Sequence, residues 1–225
     1  MISIVTTYKN RRHHIEQTFT TWLVQNFDDY EIVIVDYESE DDLSGFLHDN
    51  DSRRITHIRC NNRPIFDLSH ARNIGANYAS GKYLFFVDID TKLFEGSLSF
   101  IADGINDHTY MAAVDSKTRK EIVNGGLIAV PSIFHMGICG FNEDIKGWGF
   151  EDIDYKRRLE SNGIEYCEIL DTIYECIDHP DDERTQCYSE EKELSWTKNR
   201  QIALHEWNNT TFGQWDDVIV TKYGV

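Results

Sequence analysis

The sequence is short of several things, and each shortage narrows what the chain can be. Among 225 residues there are 3 prolines, and no stretch rich in Pro, Ser or Gly separates one part of the chain from another. Internal repeats and low-complexity tracts are missing too, which sets aside solenoids and disordered arrays. The five cysteines, Cys60, Cys139, Cys167, Cys176 and Cys187, are scattered and odd in number, with no Cys-x-x-Cys pair. Neither a structural zinc nor a disulfide framework is expected, and a reduced, cytoplasmic protein is the simpler reading. No apolar run approaches the roughly 20 residues of a membrane span. Met1 leads directly into an apolar strand, so no signal peptide is expected. Basic charge is the last shortage: 22 Lys and Arg stand against 39 Asp and Glu, a formal net charge of -17. Nucleic acid is therefore not expected as a partner, because its backbone is bound through a basic footprint. A phosphorylated small molecule is not excluded, since a bound divalent ion can reverse the local field.

What is present is enough apolar material for one full-sized core, at 40% hydrophobic and 12% aromatic residues. Residues 2–6 read as a buried strand, and 14–24 as a helix with Ile15, Phe19, Trp22 and Leu23 on one face. Strand 31–35, a short helix over 43–47 and strand 55–59 follow. Asp67 or Ser69 caps a helix running to Ala79, where Ser80-Gly81 ends it. Alternation of strand and helix predicts an α/β fold, a mostly parallel central sheet flanked by helices. Beyond Asp90 the spacing predicts a helix over 97–105, strands over 111–115 and 127–130, and a turn at 124–126. A helix over 150–161, strands over 165–170 and 172–177, and a helix over 189–207 complete the chain. The expected organisation is a main domain, 1–182, with a C-terminal helical extension, 183–225, packed on it.

Residues 83–87 read Tyr-Leu-Phe-Phe-Val, an apolar run without alternation, as for a strand covered on both faces. It delivers Asp88-Ile89-Asp90 to the carboxyl edge of the sheet, where open α/β folds bind ligands. Such a pair is either a solvated turn or a site for a hard cation such as Mg2+ or Mn2+. Asp36 ends another strand on the same edge and either caps the next turn or accepts hydrogen bonds from a ligand. Glycines flank Trp148 in Gly147-Trp148-Gly149, which suggests a tight bend holding a large ring at a pocket wall. Glu151, Asp152 and Asp154 open the next helix; they complement its dipole, and one of them can serve as a general base. His179 alone would not be a ligand, but the carboxylate pair needs a third one and imidazole suits Mn2+. His13 and His14 read as solvated helix residues.

Taken together, Ile4-Val5-Thr6 with Asn10-Arg11, residues 33–39, the run Leu68-Ser69-His70-Ala71-Arg72-Asn73-Ile74-Gly75, and Ala79-Ser80-Gly81-Lys82 resemble a GT-A glycosyltransferase of the family-2 type. Phe86-Val87-Asp88-Ile89-Asp90 is similar to that family's DXD motif. Residues 147–154, Gly-Trp-Gly-Phe-Glu-Asp-Ile-Asp, are similar to the Gly-Trp-Gly-x-Glu-Asp segment of β-1,4-galactosyltransferases and chondroitin-polymerase-type enzymes. The resemblance implies an inverting, metal-dependent enzyme moving a hexose (Gal/GalNAc or Glc/GlcNAc type) from a UDP-sugar to a glycan or glycolipid hydroxyl. It places Thr6, Thr7, Asp36, Arg72 and Asp88 at the nucleotide, and Asp90, His179 and Asp88 at Mn2+ or Mg2+. Trp148 and Gly149 border the sugars, and Asp152 is the base, with Glu151 sharing that role or binding acceptor. Tyr37-Glu38 departs from the small-residue-then-Gly pattern expected after Asp36, and Tyr37 is expected to pack on the base instead. The alternatives are a non-catalytic nucleotide-sugar-binding subunit and a nucleotidyltransferase, the latter disfavoured because 6–12 lacks glycine. Homodimerisation and peripheral membrane association through a partner are left open for the acidic extension.

Overall fold

The computed structural model describes residues 1–50, 55–114, 126–205, 215 and 217–224. The chain begins with β1 (Ile2–Tyr8), α1 (Arg12–Leu23), β2 (Tyr30–Tyr37), α2 (Ser44–His48), β3 (Ile55–Cys60), α3 (Leu68–Tyr78) and β4 (Tyr83–Phe86). Then come β5 (Thr91–Leu93), α4 (Ser97–Gly104), β6 (Thr109–Val114), β7 (Ile128–Pro131), α5 (Ser132–Gly137) and α6 (Glu151–Ser161). It closes with β8 (Glu165–Leu170), β9 (Tyr174–Cys176), α7 (Asp181–Thr185), α8 (Lys192–His205) and β10 (Val218–Tyr223). Residues 115 and 124–125 of the expected strand and turn, and 206–207 of the expected helix, lie outside the described residues.

Eight strands form one sheet in the order β10-β3-β2-β1-β4-β7-β6-β8. β1 to β4 are mutually parallel; β7 and β10 run against their neighbours. The unalternating apolar strands are explained by two covered faces. Ile4 and Phe85 face a core with Phe19 and Trp22 of α1, whereas Val5, Leu84 and Phe86 face another with Ile74 of α3 and Tyr155 of α6. The side chain of Asp67 caps α3 by accepting from the His70 amide at 3.1 Å. Close approach of α3 to the sheet depends on Gly75, where a Cβ would sit 2.5 Å from Val5 Cγ1.

β2 and β3 lie to one side of β1 and β4 to the other, so the strand order reverses between β1 and β4. Crevices at such reversals, outside the carboxyl ends of the strands, are where α/β sheets take ligands. A two-stranded ribbon of β5 and β9 sits beside that point, and the Ile177 amide donates to the Asp90 carbonyl at 2.8 Å. The segment after residue 182 contains the expected helix and also β10, which joins the main sheet antiparallel to β3. Among the described residues no helix is long and apolar enough to cross a membrane.

Candidate active site

A cavity of about 320 Å³ opens at the reversal point, within the size range of small-molecule sites. Its floor is the end of β1 and the turn after β4, and its far wall is the start of α6. The chain turns directly after β4, with the Thr91 amide donating to the Asp88 carbonyl at 2.9 Å. That turn separates the two acids. Asp88 Oδ1 accepts from Arg72 Nη2 at 2.8 Å, while Asp90 Oδ2 lies 2.7 Å from His179 Nε2. The β5–β9 ribbon is what carries His179, 89 residues further on, to Asp90. Burial by itself would raise the Asp90 carboxyl, but the hydrogen bond and charge of His179, with help from Arg11, hold it below the ordinary carboxylate range.

Arg72 is nearly fully buried, and its other nitrogen, Nη1, lies 3.3 Å from Glu151 Oε1. One guanidinium thus touches both walls of the cavity. The approach is possible because residue 126 is glycine: a Cβ there would overlap Asp88 and stand 2.5 Å from Arg72 Nη2. Burial first, then the neighbouring Asp152 charge, push the Glu151 carboxyl up to about 7 against the pull of Arg72. Asp152 has different company, lying 3.5 Å from Lys156 one turn along α6. Two adjacent carboxylates therefore sit beside different partners, Glu151 against Arg72 and Asp152 against Lys156.

The bend before α6 runs through positive φ at Gly147 (71°), Gly149 (89°) and Phe150 (72°). Phe150 has no glycine's freedom, so something must hold it there. Helix α8 does. Buried Asn199 donates from Nδ2 to the carbonyls of Lys146, Trp148 and Gly149 at 2.8, 3.2 and 3.0 Å. The Trp148 amide donates to Ser195 Oγ at 3.2 Å, and Lys192 Nζ stands 4.2 Å from the Trp148 ring centre. Trp148, Gly149, Glu151 and Asp152 all line the cavity, as do Thr7, Arg72, Asp88, Asp90 and His179.

Thr6 and Asp36 are not among the lining residues. Asp36 is fully buried, ion-paired with Arg59, 3.6 Å from His57 Nε2, and accepts from the Ser39 amide at 2.9 Å. Tyr37 does not face the cavity as expected. It is buried under Phe66, its hydroxyl 2.9 Å from His70 Nδ1. Glu38 takes the left-handed conformation at φ 54°, which glycine would favour, and its carboxylate offsets that by accepting from the amides of Asn62 and Arg63. The reading of both His13 and His14 as solvated fails for His14, which is 1% exposed beneath Glu183 of α7.

Sequence reasoning missed several charged or polar residues of the lining, among them Lys9, Arg11, Glu183, Cys187 and Tyr188. Lys9 Nζ donates to the carbonyls of Tyr37, Glu38 and Arg63 at 2.7, 3.2 and 3.1 Å, tying the loops around the cavity mouth. Arg11 Nη1 stands 3.4 Å from His179 Nε2 and 4.0 Å from Asp90 Oδ2, while Nη2 donates to the Glu183 carbonyl at 2.7 Å. The signals for Arg11 were its place in the Asn10-Arg11 pair that carries the resemblance and its position three residues beyond β1, at the ligand edge.

A family model described as "Glycosyl transferase family 2" matches residues 3–157. A curated relative, the uncharacterized glycosyltransferase EpsJ of Bacillus subtilis (strain 168), is 33% identical over 90 residues, covering 40% of this chain and 26% of its own. Among solved structures, S. aureus TarS 1-349 in complex with UDP-GlcNAc superposes with a TM-score of 0.72 at 14% identity, covering 90% of this chain and 65% of that one. GalNAc-T7 with UDP, GalNAc and Mn2+ gives a TM-score of 0.66 at 15% identity, over 80% of this chain and 44% of that one. The chain spans about a quarter of EpsJ and under two thirds of both structures. At such identities the structural likeness speaks for the fold, which is the GT-A architecture of a central sheet flanked by helices.

Proposed function

The chain belongs to glycosyl transferase family 2, and from that premise we propose that it transfers a hexose from a UDP-sugar to a glycan or glycolipid hydroxyl, with inversion and with help from Mn2+ or Mg2+. The observation that carries this reading is a single cavity with carboxylates on two facing walls. Asp88 and Asp90 with His179 stand on one, Glu151 and Asp152 on the other. The first wall suits a nucleotide diphosphate and the second an acceptor hydroxyl.

The donor set fits a divalent cation of the Mn2+ class. Asp90 Oδ2 and His179 Nε2 are an oxygen and an imidazole nitrogen already 2.7 Å apart. Asp88 gives one oxygen to Arg72 and keeps Oδ2 toward Gly126. A cation there would neutralise charge developing on the departing diphosphate, so no protein acid is needed for its departure. Lys9 and Arg11 add fixed positive charge to the same wall. Thr7 borders the nucleotide, whereas Asp36 acts by pinning Arg59 and the turn at 37–39, and Thr6 is buried in β1 outside the lining. Trp148 and Gly149 shape the sugar-facing wall. Asp152 takes the acceptor proton, and the acceptor oxygen attacks the anomeric carbon from the face opposite UDP.

A second reading exchanges the two acids. The raised proton affinity of Glu151, about 7, favours it as the base, with Asp152 binding acceptor. The sugar is proposed as galactose or N-acetylgalactosamine first, glucose or N-acetylglucosamine next. Mn2+-dependent release of UDP from UDP-sugars, with and without acceptor glycans, tests the proposal. Asp152→Asn should lower turnover by about 10²- to 10⁴-fold while leaving UDP affinity intact. Unchanged turnover in that variant refutes Asp152 as base, and activity unaffected by EDTA refutes the metal. UDP binding without turnover of any UDP-sugar supports the non-catalytic subunit instead.

A further inference from the structure

Outside the residues assigned above, one cluster of ligating side chains among the described residues joins the start of α1 to α7. His13 Nε2 at the start of α1 lies 2.6 Å from Glu183 Oε1 of α7, and His14 Nδ1 lies 3.6 Å from the same oxygen. All three ligand atoms fall within 4.8 Å of one another. His14 has its ring buried and its Nδ1 without a hydrogen-bond partner among the described residues, aimed at Glu183. A buried imidazole nitrogen with nothing to bond is costly unless something completes it.

We propose that His13, His14 and Glu183 form a second metal site, adjoining the Asp90–His179 pair (the His14 and His179 ring centres are 5.1 Å apart) but built from other ligand atoms, that takes Zn2+ or a similar transition ion. Two imidazoles and one carboxylate, with water in the fourth position, are a tetrahedral zinc set rather than a magnesium one, which would be mostly oxygen. The site staples α7 to the start of α1. Glu183, Cys187 and Tyr188 line the cavity, so the staple fixes that wall over the diphosphate region. The role is structural; its place over the diphosphate rests on the proposed function, whereas the ligand set itself does not.

The test is Zn2+ and Co2+ binding to the full chain without nucleotide, read by competition with a chromophoric chelator and by the visible absorption of bound Co2+. Asp90→Asn should retain one tight site with a tetrahedral Co2+ spectrum. His13→Ala and Glu183→Ala, both at partly exposed side chains and so safe for folding, should weaken it by about tenfold or more, alone and in the Asp90→Asn background. Zn2+ should raise the melting temperature of Asp90→Asn and not of the double variants. Binding that vanishes in Asp90→Asn yet survives His13→Ala and Glu183→Ala overturns the proposal, as does no tight binding in any form.

Discussion

At the scale of single residues the sharpest contrast is between Glu151 and Asp152, neighbours in sequence with different partners in space. If Glu151 is the base, kcat/KM for transfer should be about tenfold lower at pH 6 than at pH 8, because its folded value of about 7 makes it half protonated near neutrality. A pH–rate series on Glu151→Gln checks this: the limb should disappear with the carboxylate, and a limb that persists would refute Glu151 as its source. The same group leaves a mark on stability. Its folded value lies above the ordinary 4.5, so its burial opposes folding above about 7 and that opposition fades as pH falls toward 4.5. His14 and His135 work the other way: burial lowers them to about 4 and about 3, so below 6.5 only the unfolded chain gains their protons. Each fully buried imidazole of this kind costs up to about 1.4 kcal/mol per pH unit below that point. Thermal melts from pH 7.5 to 5 should therefore fall more steeply for Glu151→Gln than for the natural protein, and equal slopes would contradict the burial of Glu151 as the source of its shift.

At the scale of elements, helix α8 explains itself through the bend it supports. Asn199→Ala removes the donor shared by three carbonyls and should cost about 1–3 kcal/mol, a drop of several degrees in Tm for a chain of this size. The acceptor KM should rise while UDP affinity stays, since Asn199 of α8 holds the bend at the proposed sugar-facing wall; a loss of UDP affinity instead would argue against this division. The strands and helices up to β4 were legible because both faces of the sheet are covered, which writes unbroken apolar runs, and because Asp67 caps α3 visibly. β5, β9 and α7 were not placed, or only loosely, because each is 3 to 5 residues long and rests on a partner far away in sequence. Asp36 illustrates the same limit within the site. Its neighbour in register across β2 and β3 is Arg59, and a pairing register is not written in either strand alone. His14 was misread because its cover, α7, arrives some 170 residues later, a count set by Glu183.

At the scale of the molecule, β10 is the edge strand on one side of the sheet and covers β3, its Val218 to Tyr223 pairing with Cys60 to Ile55. Truncation after residue 217 should leave the β3 edge bare, lower Tm, and produce concentration-dependent self-association visible by light scattering, as exposed edges do. A truncated chain that stays monomeric with unchanged Tm would show that β10 adds little. The reversal of strand order between β1 and β4 places the cavity, and the β5–β9 ribbon reaches across from the far end of the chain to finish it. Arg72 then makes the cavity's two sides dependent on each other's history. Its positive charge is divided between Asp88 and Glu151, so whatever draws Asp88 aside concentrates that charge on Glu151 and eases its ionisation. Whatever draws Arg72 itself toward an anion strips Glu151 of its counter-charge and makes it hold a proton harder. Loading one side should thus shift the proton affinity of the other through a single side chain.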